Sequence, residues 1–209
     1  MNFANVKSIA IHEGTVKRIT NSLGTVLWEK SELPSAYREV NGFSFDGNSY
    51  FVTDVILEGT DTISLEYMAT IACNVIGSYK SGSANNNFSF YHSSNAYIRY
   101  DGSLHRADLN ANTRYKIDFT STGFYIDSSL AKGWSEAQFT CDDEMRIGAL
   151  PNSTAAKLNG ALYGRIKVND GVKFNGVPVE RIADNVLGYY DIVSGNFYTN
   201  QGNGTITAL

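Results

Sequence analysis

Short runs in which apolar and polar residues alternate recur along almost the whole chain, and they leave few folds open. In Thr62-Ile63-Ser64-Leu65-Glu66-Tyr67-Met68, Ile63, Leu65 and Tyr67 alternate with Thr62, Ser64 and Glu66. That is the period-2 pattern of a strand buried on one face, and a helix would scatter the same side chains around its surface. Comparable runs are Gly42–Phe45, Ser49–Val52, Asn87–His92, Ala96–Tyr100, Arg114–Phe119, Gly123–Asp127, Gln138–Thr140, Met145–Gly148 and Gly160–Val168. Turn residues separate many of them, among them Asp46-Gly47-Asn48, Ser93-Ser94-Asn95, Asp101-Gly102 and Ser121-Thr122-Gly123. Many short strands with turn signals between them predict an all-β antiparallel sandwich or barrel. The sequence carries no amphipathic helix pattern and no internal repeat.

Composition agrees, and it excludes several functions. The 209 residues include 13 Tyr and 11 Phe but only 3 Pro, and 43% are hydrophobic against 18% charged. Aromatic side chains suit pleated surfaces, and this balance supports a packed core rather than disorder. A net charge of −4 without a basic stripe argues against nucleic acid as a partner. No apolar stretch approaches the roughly 20 residues that cross a bilayer, so membrane insertion is not expected. The opening Met-Asn-Phe-Ala-Asn-Val-Lys-Ser-Ile has no apolar core or cleavage motif of a secretory signal. The chain is therefore expected to work inside the cell, or to reach the outside without secretion, as virion proteins do by lysis.

Two domains are expected. Val6–Ile11, Val16–Thr20 and Val26–Glu29 read as three strands of a small module over residues 1–30. Such a unit buries too little to be stable alone, so it should pack on something else or on copies of itself. Ser31-Glu32-Leu33-Pro34-Ser35 is a polar connector, and the main β domain is expected over residues 36–209.

The run from Leu187 to Thr205, Leu-Gly-Tyr-Tyr-Asp-Ile-Val-Ser-Gly-Asn-Phe-Tyr-Thr-Asn-Gln-Gly-Asn-Gly-Thr, reads as two aromatic strands folded back at Ser194-Gly195-Asn196, followed by a Gly-rich turn at Gly202-Asn203-Gly204. Tyr189, Ile192 and Phe197 are expected in the core. This run resembles the ending of laminin-G-like, concanavalin-A-like jelly-roll domains in tail and minor structural proteins of phages. Phe45-Asp46-Gly47-Asn48-Ser49-Tyr50-Phe51 resembles the opening strand of that family, although Arg38-Glu39-Val40-Asn41 departs from its usual lead-in. Tyr115–Phe119 with Phe124–Asp127 is similar to its central hairpin, and Leu158–Val168 and Phe174–Val179 to its later strands. The module at the start, from Val6 to Trp28, looks like an N-terminal element of phage structural proteins; a hairpin extending the main sheet is the alternative. The resemblance implies a concanavalin-A-like jelly roll in the virion tail or baseplate, acting outside the cell. It further implies a host surface polysaccharide as ligand, attachment to other virion proteins through the N-terminal module, and a homo-oligomer such as a trimer.

The residues favour binding over catalysis. A glycosidase on this fold needs paired carboxylates on one face of a strand, and the chain lacks a Glu-x-Asp-x-x-Glu run. Asp142-Asp143-Glu144 is the densest acidic cluster; it reads as a solvated turn, with a Ca²⁺ site on Asp142 and Asp143 as the minority option. No other cofactor is expected. His12, His92 and His105 stand outside any metal spacing, and no nucleophile elbow or phosphate loop is present. Cys73 sits in an apolar run, so a buried thiol and a disulfide with Cys141 both remain open. The acceptor patterns at Asn87 and Asn152 carry no weight without secretion.

What remains is a glycan-binding surface, which needs aromatic platforms beside planar amide or guanidinium groups. The densest such group is Asn86, Asn87, Tyr91, His92, Tyr97, Arg99 and Tyr100, with Trp134 as a further aromatic. The plain alternative is that alternate members face the core. A purely structural virion role and a glycan-degrading enzyme are the competing functions.

Overall fold

The computed structural model describes residues 6–12, 15–21, 26–29, 32–79, 87–151 and 157–209. The chain divides into two compact units, Met1–Ser35 and Ala36–Leu209. In the first, β1 (Val6–His12), β2 (Thr15–Asn21) and β3 (Val26–Glu29) form a three-stranded antiparallel meander. Ile9 lies opposite Ile19, and Ile19 opposite Trp28.

The second unit holds β4 (Tyr37–Glu39), β5 (Gly42–Asp46), β6 (Phe51–Glu58), β7 (Ile63–Ala69), β8 (Cys73–Tyr79), β9 (Asn87–His92), β10 (Asn95–Tyr100) and β11 (Ser103–Asp108). It continues through β12 (Arg114–Thr120), β13 (Gly123–Ile126), β14 (Ser129–Gly133), β15 (Thr140–Ile147), β16 (Asn159–Val168), β17 (Phe174–Arg181), β18 (Val186–Asp191), β19 (Phe197–Thr199) and β20 (Ile206–Ala208). These strands form two antiparallel sheets, the jelly-roll-like sandwich expected from the sequence. The smaller sheet runs β11-β10-β9-β8-β15-β6; the larger runs β14-β13-β12-β7-β16-β17-β18-β19, with β4 on β17, β5 on β16 and β20 on β5.

Alternation puts one face of each sheet in the core. Ile63, Leu65 and Tyr67 of β7 are buried, as are Phe51, Val55 and Leu57 of β6. Aromatic rings join the sheets. Phe119 of the larger sheet meets Phe88 at 4.9 Å edge-on and Phe90 at 5.5 Å. At the other end Phe51 of the smaller sheet packs edge-on against Tyr189, with centroids 5.2 Å apart. Cys73 and Cys141 are buried, and no disulfide joins them.

Five strands lacked a sequence signal: β4 and β20 are only three residues long, and β8, β11 and β14 each have a physical reason. Six of the seven residues of β8 are buried, so its two faces do not alternate. β14 is exposed at every position, and β11 is an edge strand of the smaller sheet. A further difference is β15, which joins two expected runs into one strand through register shifts against β6. Asp142-Asp143-Glu144 therefore lies within a strand rather than in a turn.

The C-terminal hairpin forms as read, with Tyr189 opposite Tyr198 and Tyr190 opposite Phe197. Tyr189 is fully buried, whereas Ile192 and Phe197 are only half-buried, and Phe197 packs on Tyr37 at 5.1 Å. The buried Asp191 carboxylate organises the turn. It accepts hydrogen bonds from the Asn175 amide at 2.8 Å, the Val193 and Ser194 amides at 3.1 Å, and the Ser194 hydroxyl at 2.7 Å. Gly195 then takes a positive φ of 78°, which glycine adopts without strain. Asp46 acts similarly for the last turn, accepting from the Asn48 amide at 2.9 Å and the Thr205 amide at 2.7 Å. Close approach requires the glycines there: a Cβ on Gly202 would lie 1.9 Å from the Asn48 carbonyl oxygen. The Asp191→Ala variant is expected to lose roughly 2 kcal/mol of stability, because buried hydrogen bonds to a charged group are among the stronger ones. An unchanged urea midpoint would contradict this account of the hairpin.

Candidate glycan-binding face

Strand register arranges two rows across the outward side of the smaller sheet. The first is Asn74, Tyr91, Tyr97 and Arg106, on β8, β9, β10 and β11 in turn. The second is Gly77, Ser89, Arg99 and Leu104 on the same four strands. The Tyr91 and Tyr97 rings lie 6.1 Å apart at 59°, and the Arg106 guanidinium sits 5.0 Å from the centre of the Tyr97 ring. Both tyrosines are half-buried.

A shallow depression of about 380 Å³ opens on this face, lined by Asn74, Tyr79, Ser89, Tyr91, Ser93, Tyr97, Arg99, Leu104 and Leu150. Leu150 reaches it from the loop after β15, over Gly77. A Cβ at Gly77 would lie 2.2 Å from the Leu150 side chain, so glycine is what lets the leucine seat there. Asn74 and Ser89 also line it and are themselves buried. The lining thus combines partly exposed aromatic rings with hydroxyls, an amide and a guanidinium, and no carboxylate. Such a surface can stack on an apolar ligand face while donating and accepting hydrogen bonds around it.

Of the sequence candidates, Tyr91, Tyr97 and Arg99 come together here. His92 and Tyr100 do not: both face the core, where the pleat puts the neighbours of outward residues. His92 pairs through Nδ1 with the Tyr67 hydroxyl at 2.8 Å, and burial holds the imidazole pKa below its ordinary value. The Tyr100 hydroxyl donates to the Gly59 carbonyl at 2.6 Å and accepts from the Ala137 amide at 3.1 Å. Trp134 is not an open platform, since it stacks on Tyr100 at 5.0 Å and 21° and packs against His105 at 5.0 Å. Asn86 and the Asn87 side chain lie outside the described residues. Asp142 is exposed on β15 and Asp143 half-buried, and among the described residues no three His, Cys, Asp or Glu side chains gather as metal ligands.

Asn74, Tyr79, Ser89, Ser93, Leu104 and Leu150 were missed. Ser89 had a signal, because Phe88 and Phe90 around it must face inward. Leu150 had none, since a loop carries it over Gly77 from far along the chain.

The larger sheet also carries a depression, about 480 Å³, lined by Thr62, Ser64, Lys116, Asp118, Arg165, Lys167 and their neighbours. Its only aromatic residue, Phe119, is 1% exposed, so it offers no stacking surface.

No family model matches the chain, and no curated protein matches it. Among solved structures, it is similar to a "putative carbohydrate binding protein" from Bacteroides ovatus, with a TM-score of 0.56 and 13% identity over 92% of this chain and 67% of that one. A heptameric SAP-like pentraxin from Limulus polyphemus matches at a TM-score of 0.46 and 12% identity, over 62% of this chain and 76% of that one. The likeness to the first is one of fold.

Burial of His92 has a measurable consequence. Unfolded, the imidazole takes up a proton near its ordinary pKa of about 6.5; folded, it does so only at lower pH. The unfolded state therefore binds more protons in that window, and stability is lost as pH falls through it. His105, lowered by partial burial and by Lys132, adds the same sign. Urea midpoints should drop between pH 7.5 and 5.5, and less so in His92→Gln. An equal drop in the variant would contradict the core placement.

Proposed function

We propose that the sandwich is a non-catalytic glycan-binding module whose ligand lies in the depression on the outward face of the smaller sheet. The observation that carries this reading is the Tyr91 and Tyr97 pair flanked by Arg99, Asn74 and Ser89. Sugar rings present apolar C–H faces and hydroxyl rims, which match partly exposed aromatic rings bordered by planar donors and acceptors. The shared fold with a Bacteroides ovatus protein named for carbohydrate binding supports the reading. Glycoside hydrolysis needs two carboxyl groups flanking the bond, and the lining offers none, which favours binding alone.

The wider setting we propose is a phage tail or baseplate. There the sandwich would recognise a host surface polysaccharide outside the cell, and the β1–β3 unit would mount it on other virion proteins. The motivation is the resemblance of residues 187–205, and of the first module, to such proteins. Virion components of this kind are commonly symmetric oligomers, so a trimer is expected.

The test is a glycan array and pull-down on bacterial cell walls, with wild type, Tyr91→Ala and Tyr97→Ala. Each variant should bind about tenfold more weakly, or ~1.4 kcal/mol, at an unchanged unfolding midpoint. No glycan signal from a folded protein that still assembles would overturn the reading in favour of a structural decoration module. New reducing ends released from a bound polysaccharide would overturn the non-catalytic assignment.

A further inference from the structure

The arginines of the sandwich fall into two groups by their partners. Arg38 pairs with Glu180, Arg114 with Glu66, Arg165 with Glu39 at 3.7 Å and Arg181 with Asp184 at 2.7 Å. Arg99, Arg106 and Arg146 form no ion pair with a described residue, and all three belong to the smaller sheet. The arginines of the larger sheet thus each have a carboxylate partner, and those of the smaller sheet have none among the described residues.

Their positions are regular. Arg106 lies opposite Tyr97, and Arg99 is two residues along β10 from it, so the two are diagonal neighbours about 7–8 Å apart. Arg146 lies opposite Gly77 and extends the second row to Arg146, Gly77, Ser89, Arg99 and Leu104. Three strand spacings separate Arg146 from Arg99, about 14 Å. The Arg146 Nε is buried without a hydrogen-bond partner among the described residues, and its guanidinium sits 5.8 Å from the Tyr50 ring centre. Acidic residues on neighbouring positions, Asp108 opposite Asn95 and the exposed Glu144, make no ion pair with the three.

Two like charges held as diagonal neighbours, with no ion-paired counter-charge among the described residues, repel one another weakly through solvent. A ligand anion would relieve that repulsion, and the planar guanidinium fork suits carboxylate, sulfate and phosphate oxygens better than it suits sugar hydroxyls. We infer that the ligand of this face is an anionic polysaccharide, one charged group meeting Arg99 and Arg106 beside the tyrosine pair and Arg146 meeting another further along the chain. This rests on the glycan-binding reading above and adds the charge class of the ligand to it.

The test is affinity electrophoresis of the full chain in matched polysaccharides that share a backbone and differ in charge. The pairs are polygalacturonate with its methyl ester, dextran sulfate with dextran, and a phosphomannan with its dephosphorylated mannan. At least one anionic member should retard the protein at least tenfold more strongly than its neutral partner, and which pair responds identifies the anion. Arg99→Gln with Arg106→Gln should remove that preference without moving the unfolding midpoint, Arg146→Gln should reduce it, and Lys167→Gln on the opposite sheet should leave it intact. Equal loss in Lys167→Gln would overturn the proposal in favour of non-specific charge attraction. Equal retardation by charged and neutral members, lost in Tyr97→Ala, would overturn it while leaving the glycan-binding reading standing. Retardation by no member would also overturn it, and the array then decides the glycan-binding reading separately.

Discussion

The pleat of β9 and β10 sorts neighbouring side chains onto opposite sides of one sheet, and both the core and the candidate site depend on that sorting. Phe88, Phe90, His92, Ala96, Ile98 and Tyr100 point inward and are buried; Ser89, Tyr91, Tyr97 and Arg99 point outward. Shifting either strand by one residue would exchange the two sets. The core holds the register: Phe88 and Phe90 meet Phe119 and Phe124 across the sandwich at 4.9–5.6 Å. Truncating a buried phenylalanine costs about 3–5 kcal/mol, far more than any single contact on the outward face. The aromatic core therefore dictates where the tyrosine pair and the arginines stand.

Closure of the sandwich is a second requirement, met by polar groups. At the chain's end, Asp46 and Asn200 hold the last turn, the latter accepting from the Tyr50 and Gly202 amides at 3.1 and 2.9 Å, and β20 pairs with β5. At the opposite side, Trp134 stacks on Tyr100 between the edge strands β11 and β14. A shallow surface site gains from such rigidity, since its side chains need not be ordered when a ligand arrives.

Half-buried strands announce themselves through alternation, which is why β7, β10, β12 and the C-terminal hairpin could be read directly. Strands covered on both sides, like β8, or exposed on both, like β14, carry no such signal. The same physics explains the mixed outcome at the site. Tyr91 and His92, or Arg99 and Tyr100, look equivalent as composition, yet they cannot share a face. The phase was legible: Phe88 and Phe90 inward imply His92 inward, and Ala96 and Ile98 inward imply Tyr100 inward. Asn74 and Leu150 were not legible, because their place in the depression comes from strand order and from a loop returning over Gly77. The exposure of Trp134 was misread for a similar reason, its partners Tyr100 and His105 lying about thirty residues earlier in the chain.

The central claim is that ligand meets the outward face of the smaller sheet rather than the rim loops or the opposite sheet. Chemical-shift mapping by NMR, with an oligosaccharide of whichever glycan the protein binds, addresses it most directly. Shifts should concentrate at Asn74, Ser89, Tyr91, Tyr97, Arg99 and Leu104. Perturbation centred on Lys116, Asp118 and Lys167, or spread over the rim with Tyr91 and Tyr97 unmoved, would contradict it.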